Sequence, residues 1–309
     1  MPRETRPQKE GKLLQLVYYG YVAGSFIARA IPERPAYGLA HFAGGLLARR
    51  RTDRRRSVER NLARVTGAAI GSRRLDRSVT EAYRSYARYW LETFRLVRET
   101  REFFLERFHV FGEERLDEVL GRGKGAVVVV SHLGNWDAGG AWVGASGRRL
   151  VTVAEVLRPR RMFDFFAAHR AKLGMTIFPA EAGVTRKLIA SVEDGAIVAI
   201  VGDRDLTGRG LQVELFGAPA TLPAGPAFVA LRAGVPLIVA GIYGVKRADG
   251  RRGWEAHIGE IIELPDVDAA DAVAQLTKQI AVELEHFIAM RPEEWHVFQP
   301  FWPQDRVEA

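Results

Sequence analysis

His132 is the residue of this chain whose position most strongly indicates chemistry. It stands in Ser-His-Leu-Gly-Asn-Trp-Asp at 131–137, directly after the apolar run at 125–130, and an acid follows five residues later. Ligands of an open α/β sheet bind at the carboxyl ends of its strands, so a histidine that follows a buried strand lies where a site is expected. A lone histidine beside a strand is more often a structural residue, and its neighbours must decide between the two interpretations.

Asp137 is one acid that can orient this histidine. Asn135 is predicted to cap the next helix, which places Asp137 in the first turn, and a sharp turn at Gly134 lets His132 face back toward the acid. A carboxylate on one imidazole nitrogen stabilises the imidazolium and leaves the other nitrogen free to remove a proton. The pair would be a general base for an alcohol, although the HxxxxD spacing alone also occurs by chance.

The composition limits the chemistry and the partners. The 309 residues include no cysteine, which excludes disulfides, thiolate nucleophiles and cysteine-ligated metal sites. Hydrophobic and charged shares of 47% and 27% are ordinary for a globular protein. The formal net charge of +8 implies an anionic partner, and nucleic acid, phospholipid and acidic metabolites all qualify.

The first fifty residues predict two helices at a membrane interface. Uncharged stretches at 13–28 and 38–48 are interrupted by Ile-Pro-Glu-Arg-Pro, and both are shorter than the ~20 residues that span a bilayer. Tyrosines and phenylalanine lie in the first stretch, and six arginines with one aspartate follow at 48–56. The alternative is that the helices cap the core and the arginines form a solvated surface. The start does not resemble a cleavable signal peptide.

The rest of the chain predicts an α/β fold with a mostly parallel central sheet flanked by helices. Residues 57–120 have helical periodicity throughout, and short apolar runs then alternate with helical segments. The expected organisation is an N-terminal, membrane-associating helical region at 1–120 and an α/β core at 121–309, in one continuous domain. Predicted strands cover 126–130, 150–156, 176–179, 196–201, 236–243 and 254–262, and predicted helices cover 136–144, 159–173, 184–193, 224–233 and 269–290.

Several motifs together resemble one family. The stretch at 131–137 looks like the HxxxxD block of the glycerolipid acyltransferases, in the form of the bacterial branch that acylates lipid A or phosphatidylinositol mannosides. Further matching stretches are Ala-Glu-Val-Leu-Arg-Pro at 154–159, Ala-His-Arg-Ala-Lys-Leu-Gly-Met at 168–175, Gly-Asp-Arg-Asp-Leu at 202–206 with Glu-Leu-Phe-Gly at 214–217, and Glu-Glu-Trp-His-Val-Phe-Gln-Pro-Phe-Trp at 293–302. The blocks at 202–207 and 210–217 look more like the phosphatidylinositol mannoside enzymes than the lipid A enzymes.

The resemblance implies transfer of a fatty acyl chain from acyl-CoA or acyl carrier protein to a sugar hydroxyl of a membrane glycolipid. That glycolipid would be a phosphatidylinositol mannoside, with a lipid A precursor as the alternative. His132 would be the general base. Its partner would be Asp137 or an acid further along the chain, Asp203 or Asp205, which follow the predicted strand at 196–201.

Other residues are placed near the substrates by the same resemblance. Glu155 and Arg170 match positions that line the family's active site, and an ion pair between them is the structural alternative. Arg204 would bind a phosphate of donor or acceptor, or else pair with a neighbouring aspartate. Asn135 is grouped with these substrate-binding residues. No metal and no cofactor beyond the thioester donor are expected.

The expected partners are the acyl thioester donor, an anionic membrane glycolipid and the membrane surface, reached by peripheral attachment at the cytoplasmic face of the inner membrane. No nucleic acid is expected. Two other classes remain open: a non-catalytic module that binds anionic lipid or nucleic acid through the arginines at 49–56, and a hydrolase whose His–Asp pair activates water. Trp295, Phe298, Phe301 and Trp302 either cover the core or line an acyl site, and covering the core is favoured.

Overall fold

The computed structural model of the protein describes residues 12–205 and 208–306. The helices are α1 (Lys12–Ala30), α2 (Glu33–Ala48), α3 (Asp53–Thr66), α4 (Arg73–Leu96), α5 (Arg101–Arg107), α6 (Glu113–Gly121), α7 (Trp136–Ala145), α8 (Arg160–Lys172), α9 (Val184–Glu193), α10 (Gly225–Ala233), α11 (Ala269–Met290) and α12 (Pro303–Arg306). The strands are β1 (Phe108–Phe111), β2 (Ala126–Val130), β3 (Leu150–Ala154), β4 (Met175–Pro179), β5 (Ile197–Val201), β6 (Leu211–Leu215), β7 (Ala218–Leu222), β8 (Leu237–Lys246) and β9 (Arg252–Ile258).

Seven strands form the central sheet in the order β1-β9-β8-β2-β5-β3-β4. Every neighbouring pair in it is parallel except β8 and β9, which form an antiparallel pair. Strands β6 and β7 form a separate antiparallel hairpin. The predicted α/β class, with a mostly parallel sheet flanked by helices, is therefore confirmed.

Two strand regions were not expected from the sequence pattern. Residues 57–120 were predicted to be helical throughout, but Phe108–Phe111 forms the edge strand β1 and pairs with β9. Its four residues are fewer than the stretch of residues over which helical periodicity is recognised, so the strand is hidden by the helical pattern on either side. The hairpin β6–β7 was also missed. The segment 1–120 thus contributes a strand to the sheet, and the proposed division at 120 remains a prediction.

Both faces of the sheet are covered. Helices α9, α10 and α11 pack on one face together with the C-terminal aromatic residues, and α5, α6 and α7 lie on the other. Trp295, Phe301 and Trp302 are buried in this core and Phe298 is buried in the cluster between α3 and α4, so the prediction that these aromatic residues cover the core is confirmed. Trp302 also donates from Nε1 to the carbonyl oxygen of Leu215, which attaches the C-terminal segment to the hairpin.

The N-terminal helices pack on α4. Helix α1 ends at Ala30 and α2 begins at Glu33, so the predicted break at the proline pair is confirmed. Helix α2 approaches α4 closely at Gly44, where an added Cβ would lie 2.7 Å from the Cα of Arg84. The Thr52 hydroxyl accepts from the Arg55 amide and caps α3. None of the helices within the described residues combines the length and the hydropathy that a membrane span requires.

Candidate active site

His132 is held by Asp203 at the carboxyl end of the sheet. Nδ1 of the ring lies 2.7 Å from Oδ1 of Asp203, and the His132 amide donates to Oδ2 at 3.0 Å. Trp295 donates to the same Oδ2 from Nε1 at 2.9 Å. Because β2 and β5 are parallel neighbours with Val130 opposite Val201, the residues that follow the two strands meet. One carboxylate therefore fixes both the ring and the backbone of His132.

The environment of Asp203 keeps this carboxylate ionised. The side chain is completely buried, and burial alone would raise its pKa. The nearby imidazole and the hydrogen bonds from the His132 ring, Trp295 and the His132 amide outweigh burial and lower the pKa of Asp203 below its ordinary value. The anion fixes the ring with Nδ1 toward Asp203, which leaves Nε2 for a substrate.

Asp137 has a different partner from the one that the local sequence suggested. Its Oδ1 accepts from Nε of Arg170 at 2.7 Å, and its Oδ2 lies near the hydroxyls of Tyr89 and Thr93 at 3.4 and 3.3 Å. The first turn of α7 directs the carboxylate toward α4 and α8, where these groups lie. Asp137 thus anchors the motif to Arg170. The acid that contacts the His132 ring is Asp203 and not Asp137, which was the residue expected from the local sequence.

Asp205 and Arg204 occupy separate positions beyond β5. Asp205 accepts from the amides of Gly208 and Gly210 at 3.1 and 2.8 Å, so it shapes the loop after the strand. Arg204 lines the cavity described below, and its Nε lies 2.8 Å from the side-chain oxygen of Gln299 when that amide is turned toward the guanidinium. The structure thus places the Gln299 amide beside Arg204, and both roles considered for Arg204, binding a phosphate or pairing with an aspartate, stay predictions.

Asn135 supports the motif from inside the protein. Its Oδ1 accepts from the amide of Ala138, so the predicted cap of α7 is confirmed. Its Nδ2 donates to Glu92 on α4 at 2.9 Å, and the residue is only 2% exposed. Both ends of the amide are engaged within the protein, so its position assigns Asn135 to the support of the motif rather than to substrate binding.

Glu92 is a buried acceptor that joins four parts of the chain. Besides Asn135, it accepts from Nε1 of Trp254 on β9 at 2.9 Å and from the hydroxyl of Tyr37 on α2 at 3.1 Å. Burial raises the pKa of Glu92, while Arg88 and these hydrogen bonds oppose the rise. Because the partners lie 43 to 162 residues away, the local sequence around Glu92 carried no signal of this role.

An apolar cavity of about 380 Å³ opens beside His132. It lies between α7 and the sheet, and its walls include residues from all seven strands of the sheet. Its polar or charged lining side chains are His132, Thr152, Asp137, Glu155, Arg170 and Arg204, with the indole of Trp136 beside the imidazole. Four of the predicted catalytic and substrate-binding residues besides His132 thus share one cavity, which is otherwise lined mainly by aliphatic and aromatic groups.

Glu155 and Arg170 both line the wall of this cavity, but they do not form the ion pair considered as an alternative. Arg170 pairs with Asp137. Burial alone would lower the pKa of its guanidinium, but Asp137 and Tyr89 outweigh burial and raise that pKa above its ordinary value. A smaller cavity of about 100 Å³ adjoins the first, shares Glu155 and Arg170 with it, and is lined by aromatic rings of α4 and α8. The two charged groups therefore stand where the two cavities meet.

Trp295 and His296 are site residues whose roles the sequence did not reveal. Trp295 donates to Asp203, and the His296 amide donates to the carbonyl oxygen of His132 at 2.7 Å. The His296 ring is buried, with Nε2 2.9 Å from the Ser85 hydroxyl. Burial, and secondarily the charges of Arg88 and His132, lower the pKa of His296 well below its ordinary value. Its imidazole is therefore neutral in the folded protein.

We expect this neutral histidine to make stability depend on pH. In the unfolded chain His296 gains a proton below a pKa of about 6.5, whereas the folded protein resists that proton, so the free energy of unfolding falls as pH decreases through about 6.5. Urea unfolding at pH 7.5 and 5.5 should show a smaller fall for His296→Gln than for the wild type. The exposed His286→Gln is the control, and equal falls in all three proteins would contradict the assignment.

Comparisons with known proteins match nearly the whole chain to one family of enzymes. Residues 6–304 match the profile of the bacterial lipid A biosynthesis acyltransferases. A phosphatidylinositol mannoside acyltransferase of Mycolicibacterium smegmatis is 32% identical over 295 residues, covering 94% of this chain and 93% of that protein. A protein of the same name from Mycobacterium tuberculosis strain H37Rv is 31% identical over 304 residues, covering 94% of this chain and 90% of that protein.

The fold, the site and these matches define the class of protein as an α/β acyltransferase. The chain belongs to the family of bacterial lipid A biosynthesis acyltransferases. The relatives to which it is similar are named phosphatidylinositol mannoside acyltransferases. The family predicted from the sequence motifs is confirmed.

Proposed function

We propose that the protein transfers a fatty acyl chain from a thioester to a sugar hydroxyl of a membrane glycolipid, with His132 as the general base. The observation that carries this proposal is the His132–Asp203 pair at an apolar cavity. The imidazole supplies a base for an alcohol, and the cavity supplies an environment for a hydrocarbon chain. The donor is acyl-CoA or acyl carrier protein, and no further cofactor enters the proposed reaction.

The proposed reaction proceeds by direct attack. Nε2 of His132 removes the proton from the sugar hydroxyl while the hydroxyl oxygen attacks the thioester carbonyl carbon. Asp203 stabilises the imidazolium that forms. The tetrahedral intermediate then collapses, the carbon–sulfur bond breaks, and the departing thiolate takes the proton from His132. The products are the ester and the free thiol, and the imidazole is neutral again.

The acyl chain of the donor is proposed to occupy the cavity under α7. The lining is largely aliphatic, and burial of each methylene contributes about 0.8 kcal/mol. The lining residues come from every strand of the sheet, from β1 at one edge to β4 at the other, so the cavity runs across the sheet. The dimension and the chemistry of the cavity both suit a long-chain fatty acyl group.

Filling this cavity should change the preferred chain length. Ala199 lies on β5 beneath the cavity and pairs with Val128, two positions before the strand end next to His132. Ala199→Phe is expected to lower kcat/KM for palmitoyl-CoA by about tenfold or more, because displacing two methylenes loses about 1.6 kcal/mol, and to affect octanoyl-CoA much less. Ala190→Phe on the exposed face of α9 is the control. Equal losses with both donors would contradict the placement of the chain.

The membrane surface is proposed to be reached through α1 and α2. Of the eighteen large apolar side chains exposed in the described part of the chain, ten lie on these two helices. They include Leu16, Phe26 and Phe42, each more than 60% exposed. Concentration of apolar groups on neighbouring helices is typical of a surface that docks on a membrane. We propose peripheral attachment at the cytoplasmic face, where the thioester donors are found.

The proposed acceptor is a phosphatidylinositol mannoside, because the curated relatives that cover nearly the whole chain carry that activity in their names. Thiol release from palmitoyl-CoA should be accelerated by a phosphatidylinositol mannoside and not by a lipid A precursor. Acceleration by the lipid A precursor alone would assign the other acceptor. Thiol release that no acceptor changes, accompanied by free fatty acid, would indicate a hydrolase and contradict the proposal.

A further inference from the structure

A second large concavity lies outside the catalytic cavity, between α2, α3 and α4. We call it the arginine groove. Its volume is about 1130 Å³, and it shares no lining residue with the cavity beside His132. Seven arginines and two carboxylates line it, so its walls are strongly cationic. The arginines are Arg49, Arg51, Arg55, Arg56, Arg73, Arg77 and Arg84.

Part of this charge is not neutralised within the protein. Arg55 pairs with Glu59 and Asp76, and Arg56 and Arg84 pair with acids on their own helices. By contrast, Arg49, Arg51, Arg73 and Arg77 are exposed and have no carboxylate partner within 12–205 and 208–306. Four such guanidiniums around one concavity form a site for an anion with several oxygens.

The wall of the groove contains a donor that lacks a partner. Nε of Arg84 is buried and makes no hydrogen bond to any described residue. It lies beside Gly45 of α2, where an added Cβ would be 3.2 Å away. A buried guanidinium N–H without an acceptor is costly, and α2 covers this one at Gly45, so the case for an anion in the groove rests on the four exposed arginines.

The groove also borders the apolar surface of α1 and α2. Phe42 and Leu46 line the groove and are among the ten exposed apolar side chains of those helices. An occupant of the groove would therefore contact arginines on one side and exposed apolar groups on the other. A phospholipid has this combination, with a phosphate headgroup beside its acyl chains, whereas a nucleic acid backbone has no comparable apolar part.

We propose that the arginine groove binds the phosphate headgroup of an anionic phospholipid, at a site separate from the catalytic cavity. This inference rests on the proposed docking of α1 and α2 on a membrane. The bound headgroup would hold the protein on anionic membranes in one orientation, with Phe42 and Leu46 toward the acyl chains. The lipid in this groove would not be the acyl acceptor, because the groove and the cavity beside His132 share no lining residue.

Vesicle binding tests the groove without any acyl transfer. The probes are vesicles of phosphatidylcholine alone and of phosphatidylcholine with phosphatidylglycerol, whose headgroup has no sugar for the acceptor site to recognise. The variant Arg49→Gln/Arg51→Gln/Arg73→Gln removes three groove cations. The matched control, Arg186→Gln/Arg232→Gln/Lys278→Gln, removes three exposed cations from α9, α10 and α11. Both variants change the net charge equally.

The groove variant should lose affinity for the anionic vesicles and the control should not. Each basic residue at an anionic surface contributes about a fivefold factor in partitioning, so three together predict about a 100-fold loss. The single variant Arg73→Gln should lose about fivefold in affinity for the anionic vesicles. It can replace the triple variant in the test if the triple variant folds poorly. Inorganic phosphate at constant ionic strength should compete only weakly, because the vesicle presents the headgroup together with apolar contacts.

Three outcomes would overturn the inference: equal losses in the groove and control variants, binding of the groove variant at the wild-type level, or a groove-dependent affinity for duplex DNA that exceeds the affinity for vesicles. Donor and acceptor are absent from the assay. Failure of the proposed acyl transfer would therefore leave this result unaffected, and failure of the groove would leave the transfer reaction untouched.

Discussion

Replacing His132 with alanine is expected to lower the rate of acyl transfer by about 10²- to 10⁴-fold, the range typical of a lost general base. The ring is the group at the cavity whose Nδ1 is held by a buried carboxylate and whose Nε2 remains for the substrate. The loss should be in kcat, with a small change in KM for palmitoyl-CoA, because the acyl chain is bound by the apolar walls.

The fold of this variant must be checked in the same experiment. Asp203 keeps its hydrogen bonds from the backbone amide at position 132 and from Trp295 when the ring is removed. His132→Gln, which retains a polar group near the carboxylate, should be equally inactive and closer to the wild type in thermal unfolding. His109→Ala on the exposed side of β1 is the control. If the His132→Ala protein keeps activity within tenfold of the wild type, His132 is not the general base.

Asp203→Asn and Asp137→Asn should affect different properties. Asparagine at 203 removes the anion that stabilises the imidazolium and can hold the wrong tautomer of His132, so we expect a fall in kcat of about 10²- to 10⁴-fold, comparable to loss of the base. Asparagine at 137 leaves the mostly buried Arg170 without its anion, which is expected to cost about 3–5 kcal/mol in the free energy of unfolding.

Measurement of kcat together with urea unfolding separates these two roles. Asp203→Asn should be impaired mainly in kcat, and Asp137→Asn mainly in stability. The pKa of Asp203 is lowered, so its carboxylate stays ionised down to acid pH. Protonation of Asp203 should therefore not reduce the activity of the wild type until the pH is below about 4, the ordinary range of an aspartate. The reverse assignment, with Asp137→Asn stable and inactive and Asp203→Asn active, would contradict the geometry around His132.

Much of the fold was predictable because its elements are locally encoded. The strand at 126–130 and the helices at 184–193 and 269–290 have the predicted bounds, since each is a clear apolar run or helical period between turn residues. The helix after the motif could be placed because Asn135 is a strong cap in sequence and in structure. Strand β1 lacked such a signal, because four residues next to a helix do not establish a period of two.

The site was predictable only in part. The position of His132 at a strand end followed from the sequence, but the choice among Asp137, Asp203 and Asp205 depends on which strands are neighbours in the sheet. Strand β5 lies beside β2 although β3 and β4 come between them in the chain. That order brings Asp203 to His132, and it could not be read from local spacing.

Hydrogen bonds that support the site between residues far apart in the sequence could not be predicted either. Trp295 reaches Asp203 over 92 residues, and Trp254 reaches Glu92 over 162. Aromatic residues near a C-terminus usually pack in the core, and Trp295 does so with its ring while its Nε1 serves the site. A pattern of side-chain types does not reveal such a second role, which depends on one hydrogen bond in the folded protein.

The central claim is that the His132–Asp203 pair activates a sugar hydroxyl to accept an acyl chain. Fragmentation mass spectrometry of the lipids formed by the purified protein from palmitoyl-CoA and a phosphatidylinositol mannoside tests it most directly. The account predicts one new acyl chain located on the sugar, in amounts equal to the thiol released. Release of the thiol with free palmitate and an unchanged glycolipid would contradict it.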